Sequence, residues 1–327
     1  MKKKVIFLFV CERFLKRGAN FNGDVANEVE TEQILADADV TNLLDLGRIS
    51  SFVQVRGSVP GHWSQPMTAK PPIFFEMHDP YGRTSGRHFH QLMRKYGSPV
   101  IALNLMKSRD TSRHVERDSR REGLLSDDFR HQIEHLNQFL PEEHAIQYIS
   151  FDMARCKKKR GDEVMTKLTE IAAQAVKRTG IYYSGSPTTA AHNDSRGGAA
   201  KAGRKASGGV VGHKKGMVQT GIVRTNCVDC LDRTNTAQYV VAKYALGVQL
   251  YHLGYVPDPD LDFDCDCTRM LESMYEDHGD TLALQYGGSQ LIHRIKSYRK
   301  QSKWTSKASD ITQVVFPLKT HIKIHNL

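Results

Sequence analysis

Arg224-Thr225-Asn226-Cys227-Val228-Asp229-Cys230-Leu231-Asp232-Arg233-Thr234-Asn235 sets a cysteine and an arginine six positions apart, Cys227 and Arg233. Upstream, Thr220 to Thr225 carries Ile222 and Val223 and reads as a short buried strand. Downstream, Ala237, Val240, Val241, Tyr244, Val248 and Tyr251 recur at helical spacing and predict an amphipathic helix ending near Gly254. A strand, a tight loop and a helix in that order form the place where an open α/β sheet receives its ligand. The chemistry of the loop agrees. A thiol attacks as thiolate, and a helix N-terminus beside a guanidinium favours that form. The five residues between Cys227 and Arg233 let the backbone curl so that successive amides face a phosphate, while Arg233 grips two of its oxygens.

A second Cys-x5-Arg word runs from Cys11 to Arg17, after the apolar run Val5 to Val10. Its interior, Glu12-Arg13-Phe14-Leu15-Lys16, is bulky, and no helical pattern begins at Gly18, so its amides would not stay open to an anion. Cys227 is therefore the candidate nucleophile, with an ordinary buried thiol as the bland alternative. Asp229 and Asp232 either cap the following helix or supply a general acid; two carboxylates in a loop meant for a dianion repel it unless one is protonated, and a leaving hydroxyl needs that proton. Asn226, Val228, Cys230, Leu231, Asp232 and Thr234 complete the substrate-binding loop. Thr234 orients water or the thiolate, or caps the helix, while Asn226 and Asn235 fix loop turns through bonds to backbone. Cys230 is a passive small residue or an oxidation partner of Cys227.

The long word around Cys227 resembles the signature of the Sac-domain phosphoinositide phosphatases, with every fixed position met. Further stretches resemble the same family: Arg17-Gly18, Asp24 to Gln33, Val53 to Pro60 with Trp63-Ser64-Gln65, then Gly279-Asp280 and Gln285-Tyr286-Gly287-Gly288. The resemblance runs from about Arg13 to about Gln313. Within the family, Glu276 to Thr281 and Gln285 to Lys300 look closest to the branch that removes the 5-phosphate of phosphatidylinositol 3,5-bisphosphate. It implies a cysteinyl-phosphate mechanism with Cys227, Arg233 and, as general acid, Asp229. It also implies a peripheral enzyme of endosomal, lysosomal or vacuolar membranes, held with a lipid kinase on a scaffold protein. Chemistry of this kind requires no metal cofactor, although some enzymes of the branch respond to Mg2+. Against the family pattern, the N-terminal subdomain is largely missing and residues 314–327 form a non-family tail, leaving 1–313 as the catalytic domain. An inactive scaffold subunit of a kinase and phosphatase complex is the alternative; a protein tyrosine phosphatase rarely has two acids inside its loop.

Composition bounds these readings. A chain of 327 residues can bury a large core, and six irregularly spaced cysteines point to a reducing compartment. The net charge of +10 and a pI near 9.2 call for an anionic partner, a requirement that nucleic acid, an acidic membrane and a phosphorylated substrate all satisfy; the family resemblance implies a phosphoinositide membrane and no nucleic acid. The bases cluster at Lys157 to Arg160, at Arg196 to Lys215, and from Leu291 to Lys307. The last carries Tyr298 and Trp304 among its bases and suits a headgroup layer, with a solvated basic helix face as the alternative.

Along the chain the pattern predicts a helix over Asp24 to Ala38, a strand over Ser51 to Val55, and a Pro-rich turn from Pro60 to Pro72. After these come a helix (Arg87 to Tyr96), a strand (Pro99 to Met106), a helix (Asp127 to Leu140), a strand (Ala145 to Phe151) and a helix (Asp162 to Arg178). This alternation argues for α/β architecture, a layered mixed sheet flanked by helices. The Gly-, Ala-, Ser- and Lys-rich segment 184–216 predicts a disordered insert, and Val5 to Val10 a buried strand. Zinc at Cys227, Cys230, Cys265 and Cys267 is disfavoured by the one-residue gap in the second pair. The cluster Glu276 to Asp280 predicts a packed turn, with Mg2+ as its alternative.

Overall fold

The computed structural model describes residues 17–37, 48–65, 73–76, 79–108, 117–160, 163–185, 211–213, 216–298 and 319–325. The runs Val5 to Val10 and Cys11 to Lys16 lie outside them, as do 186–210 of the Gly-rich segment and Arg299 onward of the basic aromatic stretch.

A nine-stranded mixed sheet organises the chain. At its centre lie the parallel strands β2 (Arg48–Arg56), β5 (Val100–Asn104), β6 (Gln147–Ser150) and β10 (Ile222–Asn226), in the order β6-β5-β10-β2. β1 (Val29–Asp37) runs antiparallel along one edge of β2 and carries β11 (Lys319–His325) on its far side. The other edge of β2 is shared: Gln54–Arg56 pair with β10, and Ser50–Ser51 with β7 (Tyr182–Tyr183). Beyond β7 lie β9 (Gly216–Val218) and β8 (Val211–His213), while β3 (Trp63–Ser64) and β4 (Phe74–Phe75) form a separate small hairpin.

Alternate residues of the central strands feed two cores. Val100, Ala102, Ile222 and Val55 face α1 (Arg83–Tyr96) and α2 (Arg117–Asn137), which contribute Phe89, Leu92, Leu125, Phe129 and Ile133. Ile101, Leu103, Val223 and Phe52 face α4 (Glu163–Thr179), α5 (Asp232–Leu253) and α6 (Asp266–Gly287). Each large apolar side chain so enclosed contributes about 1.5–3 kcal/mol relative to exposure. The result is the three-layer α/β arrangement expected from the pattern, with α3 (Met153–Arg160) leading into α4.

Four expectations are corrected. Residues 29–37 form a strand, not an acidic helix: Val29, Thr31, Gln33 and Leu35 are buried in alternation. Thr31 and Gln33 disguised that period because they are polar yet face inward, Gln33 donating to Gln249 Oε1 at 2.7 Å. Second, α5 is not amphipathic but enclosed nearly all round, since it packs against β2, α4 and α6. The Gln238 backbone carbonyl accepts from Gln54 at 3.0 Å, and Lys243 lies 4.0 Å over the Phe263 ring. Third, the end of the 184–216 segment is ordered into the β8–β9 hairpin, because the backbone of β7 offers a free edge. Fourth, Glu276 to Asp280 lies within α6 rather than a turn.

Candidate active site

Residues 227–231 leave the carboxyl end of β10 and enter α5. β10 is flanked there by two parallel neighbours, β5 and β2, so the loop opens above the middle of the sheet. Its shape follows from where its carbonyls go. Val228 O accepts from Arg17 at 2.7 Å, Asp229 O from Asn27 at 3.3 Å, and Leu231 O from Arg56 at 3.2 Å, while Cys230 O also accepts from Arg56. Four successive carbonyls are thus turned toward side chains from distant parts of the chain. Among the described residues, none accepts a hydrogen bond from the amides of Val228, Asp229 or Cys230. Cys230 adopts φ 55°, the left-handed backbone that reverses the chain inside such amide nests.

The candidate nucleophile, Cys227, is fully buried at 0% exposure. Burial pushes its thiol well above the usual value, against the opposing pull of Arg233. Desolvation, the larger of the two effects, thus works against the thiolate that the neighbouring guanidinium favours. Arg233 donates through one nitrogen to Leu105 O at 3.1 Å and to Glu122 Oε1 at 2.9 Å. Glu122, at the buried face of α2, also accepts from the Lys107 amide at 3.0 Å.

The two loop aspartates part company. Asp229 Oδ1 accepts from the Leu231 amide at 3.2 Å, whereas Asp232 Oδ1 accepts from the Ile292 amide at 3.2 Å. Asp232 thus ties the loop to the segment that follows α6. Burial, then the charge of Asp229, raises the Asp232 carboxyl above its usual value.

Asn226 donates to Asn104 Oδ1 at 2.7 Å, and Asn235 to Tyr275 O at 2.9 Å. Neither fixes a loop turn, for Asn226 still belongs to β10 and Asn235 lies in the first turn of α5, facing α6. The cap position of α5 falls on Leu231, so Thr234 is not its cap; its buried hydroxyl has no hydrogen-bond partner. Val228 packs into the core under α1 and α2, and Cys230 donates its S–H to Cys227 O at 3.2 Å.

The segment after α6 also departs from expectation. Arg294 pairs with Glu276 at 3.3 Å and Asp280 at 3.1 Å, so these bases and acids bind one another. Tyr298 turns inward, capped by Lys157 4.7 Å from its ring centre; burial raises its phenol, and Arg233 pulls it down. Among the described residues, no three or more His, Cys, Asp or Glu gather as a metal-holding group, and no helix is long and apolar enough to cross a membrane.

Arg17, Asn27, Arg56 and Glu122 were not singled out for the site by sequence reasoning. The first three lie inside the stretches that carried the family resemblance, which was the available signal. Glu122 had none.

The SacI homology domain matches residues 9–158. The polyphosphoinositide phosphatase of Schizosaccharomyces pombe is 41% identical over 316 residues, covering 94% of this chain and 34% of that protein. From Arabidopsis thaliana, phosphatidylinositol-3-phosphatase SAC1 is 34% identical over 337 residues (90% of this chain, 36% of that one). Phosphoinositide phosphatase SAC4 of the same plant is 36% identical over 317 residues (88% and 37%). The chain thus spans about a third of the length of these curated relatives. With the loop, its anchors and these matches together, the chain is similar to the Sac-domain phosphoinositide phosphatases over most of its length.

Proposed function

We propose that this chain hydrolyses an inositol-ring phosphate of a phosphoinositide, with the 5-phosphate of phosphatidylinositol 3,5-bisphosphate as the target, through a cysteinyl-phosphate intermediate. The carrying observation is the loop whose carbonyls are bound by Arg17, Asn27 and Arg56 while three successive amides remain open beside Cys227 and Arg233. Backbone amides so arranged suit a phosphate dianion.

In this reading the Cys227 sulfur attacks phosphorus in line as its proton passes to a phosphate oxygen. Arg233, held by Glu122 through one nitrogen, turns its remaining N–H donors to the equatorial oxygens, and Asp229 protonates the leaving inositol oxygen. Water, deprotonated by the same Asp229, then displaces the sulfur. Thr234, with its unpartnered hydroxyl, is placed in the substrate loop as the group that orients that water. Every step uses side chains of this chain. Relatives' names differ in the phosphate they act on, one being called a 3-phosphatase, so ring position is the finer part of the proposal.

The test is phosphate release from a panel of short-chain phosphoinositides by wild type and Cys227→Ser. Release from the 3,5-bisphosphate, abolished by the substitution, is the expected result. Equal release by both proteins would sink the assignment of Cys227. A second reading, a weakly active or inactive subunit of a lipid kinase complex on endosomal or vacuolar membranes, is favoured by the complete burial of Cys227. Activity that appears only with co-expressed scaffold would select it.

A further inference from the structure

The chain carries a second pair of thiols that the phosphatase chemistry does not use. Cys265 occupies the N-cap of α6 and Cys267 its first turn, with the sulfurs 3.2 Å apart and both cysteines unbridged. Cys265 Sγ also lies 3.3 Å from Thr268 Oγ1 and 3.2 Å from Asp262 O. Both residues are only half-buried, and the exposed Asp264 and Asp266 beside them leave the pair open to small solutes. A side chain at the start of a 22-residue helix meets the positive end of its dipole, which favours thiolate. The hydrogen bond from Cys267 works in the same direction on Cys265, lowering its thiol while that of Cys267 is raised. One member is thus set up as attacking sulfur and the other as a retained thiol, one residue away.

The other described cysteines lack this arrangement. Cys227 and Cys230 are 0% and 1% exposed, and burial raises both thiols. Cys156 in α3 has no sulfur neighbour among the described residues.

We propose that Cys265 and Cys267 form a hydroperoxide-reactive dithiol, oxidised to an intramolecular disulfide before the cysteines of the phosphate-binding loop. Cys265 thiolate attacks one oxygen of the peroxide, the O–O bond breaks, and with one proton taken up the products are Cys265 sulfenic acid and water. The Cys267 thiol then attacks the sulfenic sulfur and releases a second water. Overall, two thiols and one hydrogen peroxide give one disulfide and two waters, the sulfurs supplying both electrons.

The test treats the folded full chain with hydrogen peroxide at less than one equivalent, alkylates the remaining thiols, then reduces and labels the protected ones with a heavier reagent for peptide mass spectrometry. Cys265 and Cys267 are expected to acquire the heavy label together, at a rate at least about tenfold above Cys227 and Cys230, following thiolate fraction and access. In Cys267→Ser the heavy label at Cys265 should be replaced by a dimedone adduct, the signature of a stranded sulfenic acid. The proposal is overturned if Cys227 and Cys230 acquire the heavy label first, or if Cys265 and Cys267 react no faster than Cys156. Because the wild-type readout needs no substitution, a poorly folding variant does not blunt it.

Discussion

Arg233 is held at 2.9 Å by a carboxylate, that of Glu122, which no loop motif specifies. Glu122→Gln keeps the shape but removes the charge that aims the guanidinium, and under the proposed function kcat should fall about tenfold with KM nearly unchanged. Steady-state kinetics on a soluble phosphoinositide checks this split; a change confined to KM would make Glu122 a substrate contact instead. The aspartates call for a paired measurement. Asp229→Asn should lower kcat about 10²-fold or more, whereas Asp232→Asn should lower it by no more than about tenfold. The opposite pattern would assign the proton to Asp232, whose carboxyl is raised by burial and by Asp229. At this scale the candidate nucleophile and its arginine could be singled out because their spacing is local. Arg56, which holds the carbonyls of Cys230 and Leu231, was not: as a cation in a strand it looks like any surface arginine until the fold buries it.

Elements were readable where burial and polarity coincide. β5 is apolar from Val100 to Leu103, β10 opens on Ile222 and Val223, and both were found; β1 was mistaken for a helix because half of its inward face is the polar pair Thr31 and Gln33, of which Gln33 bonds to Gln249 and Thr31 keeps an unpartnered hydroxyl. α5 was assigned its length and its Gly254 terminus correctly, but one apolar stripe was inferred for a helix that is covered on several sides. Its Gly247 explains part of that closeness: a Cβ there would come within 1.8 Å of Pro259 O and 2.8 Å of Pro259 C, backbone atoms that no rotamer change can clear. Gly247→Ala gains about 1 kcal/mol of helix propensity but forces the 257–260 connection outward, and a net loss of about 1–2 kcal/mol is expected. Thermal unfolding followed by circular dichroism checks it; an unchanged or raised midpoint would mean that the connection is loosely held.

For the molecule as a whole, buried histidines set the response to acid. His88 Nδ1 donates to Gly23 O at 3.0 Å, and its Nε2 accepts from Arg224 at 3.2 Å, so a second ring proton would meet another donor. Burial, then Arg224, pushes His88 well below its ordinary value; burial, then Arg56, pushes His278 to about 3. Below pH 6.5 the unfolded chain takes up these protons and the folded one does not, so stability is lost as pH falls. For His278 the loss between pH 6.5 and 5 is about 2 kcal/mol at about 1.4 kcal/mol per pH unit. Glu28 works the other way: burial raises it to about 7, so the folded chain binds the extra proton between 4.5 and 7 and gains stability as pH falls. The two roughly offset, leaving His88 to decide the sign. Urea unfolding should therefore show lower stability at pH 5 than at pH 7, a difference reduced in His88→Asn; a more stable protein at pH 5 would refute the balance. None of this was visible in the sequence, since His88 and Arg224 are 136 residues apart. The layered class was visible, because alternating strand and helix periods report it directly.

The long reach of the loop's anchors bears on the time at which the site comes into being. Arg17, Asn27 and Arg56 meet their carbonyls across 211, 202 and 174 residues respectively. On a ribosome adding roughly 5–20 residues per second, the two outermost anchors wait on the order of 10–40 s for the loop to emerge. During that interval Arg56, destined for a fully buried position, has no carbonyl to bind and its strand lacks β10 as a neighbour. The shape of the loop is thus completed as one late event rather than by gradual assembly.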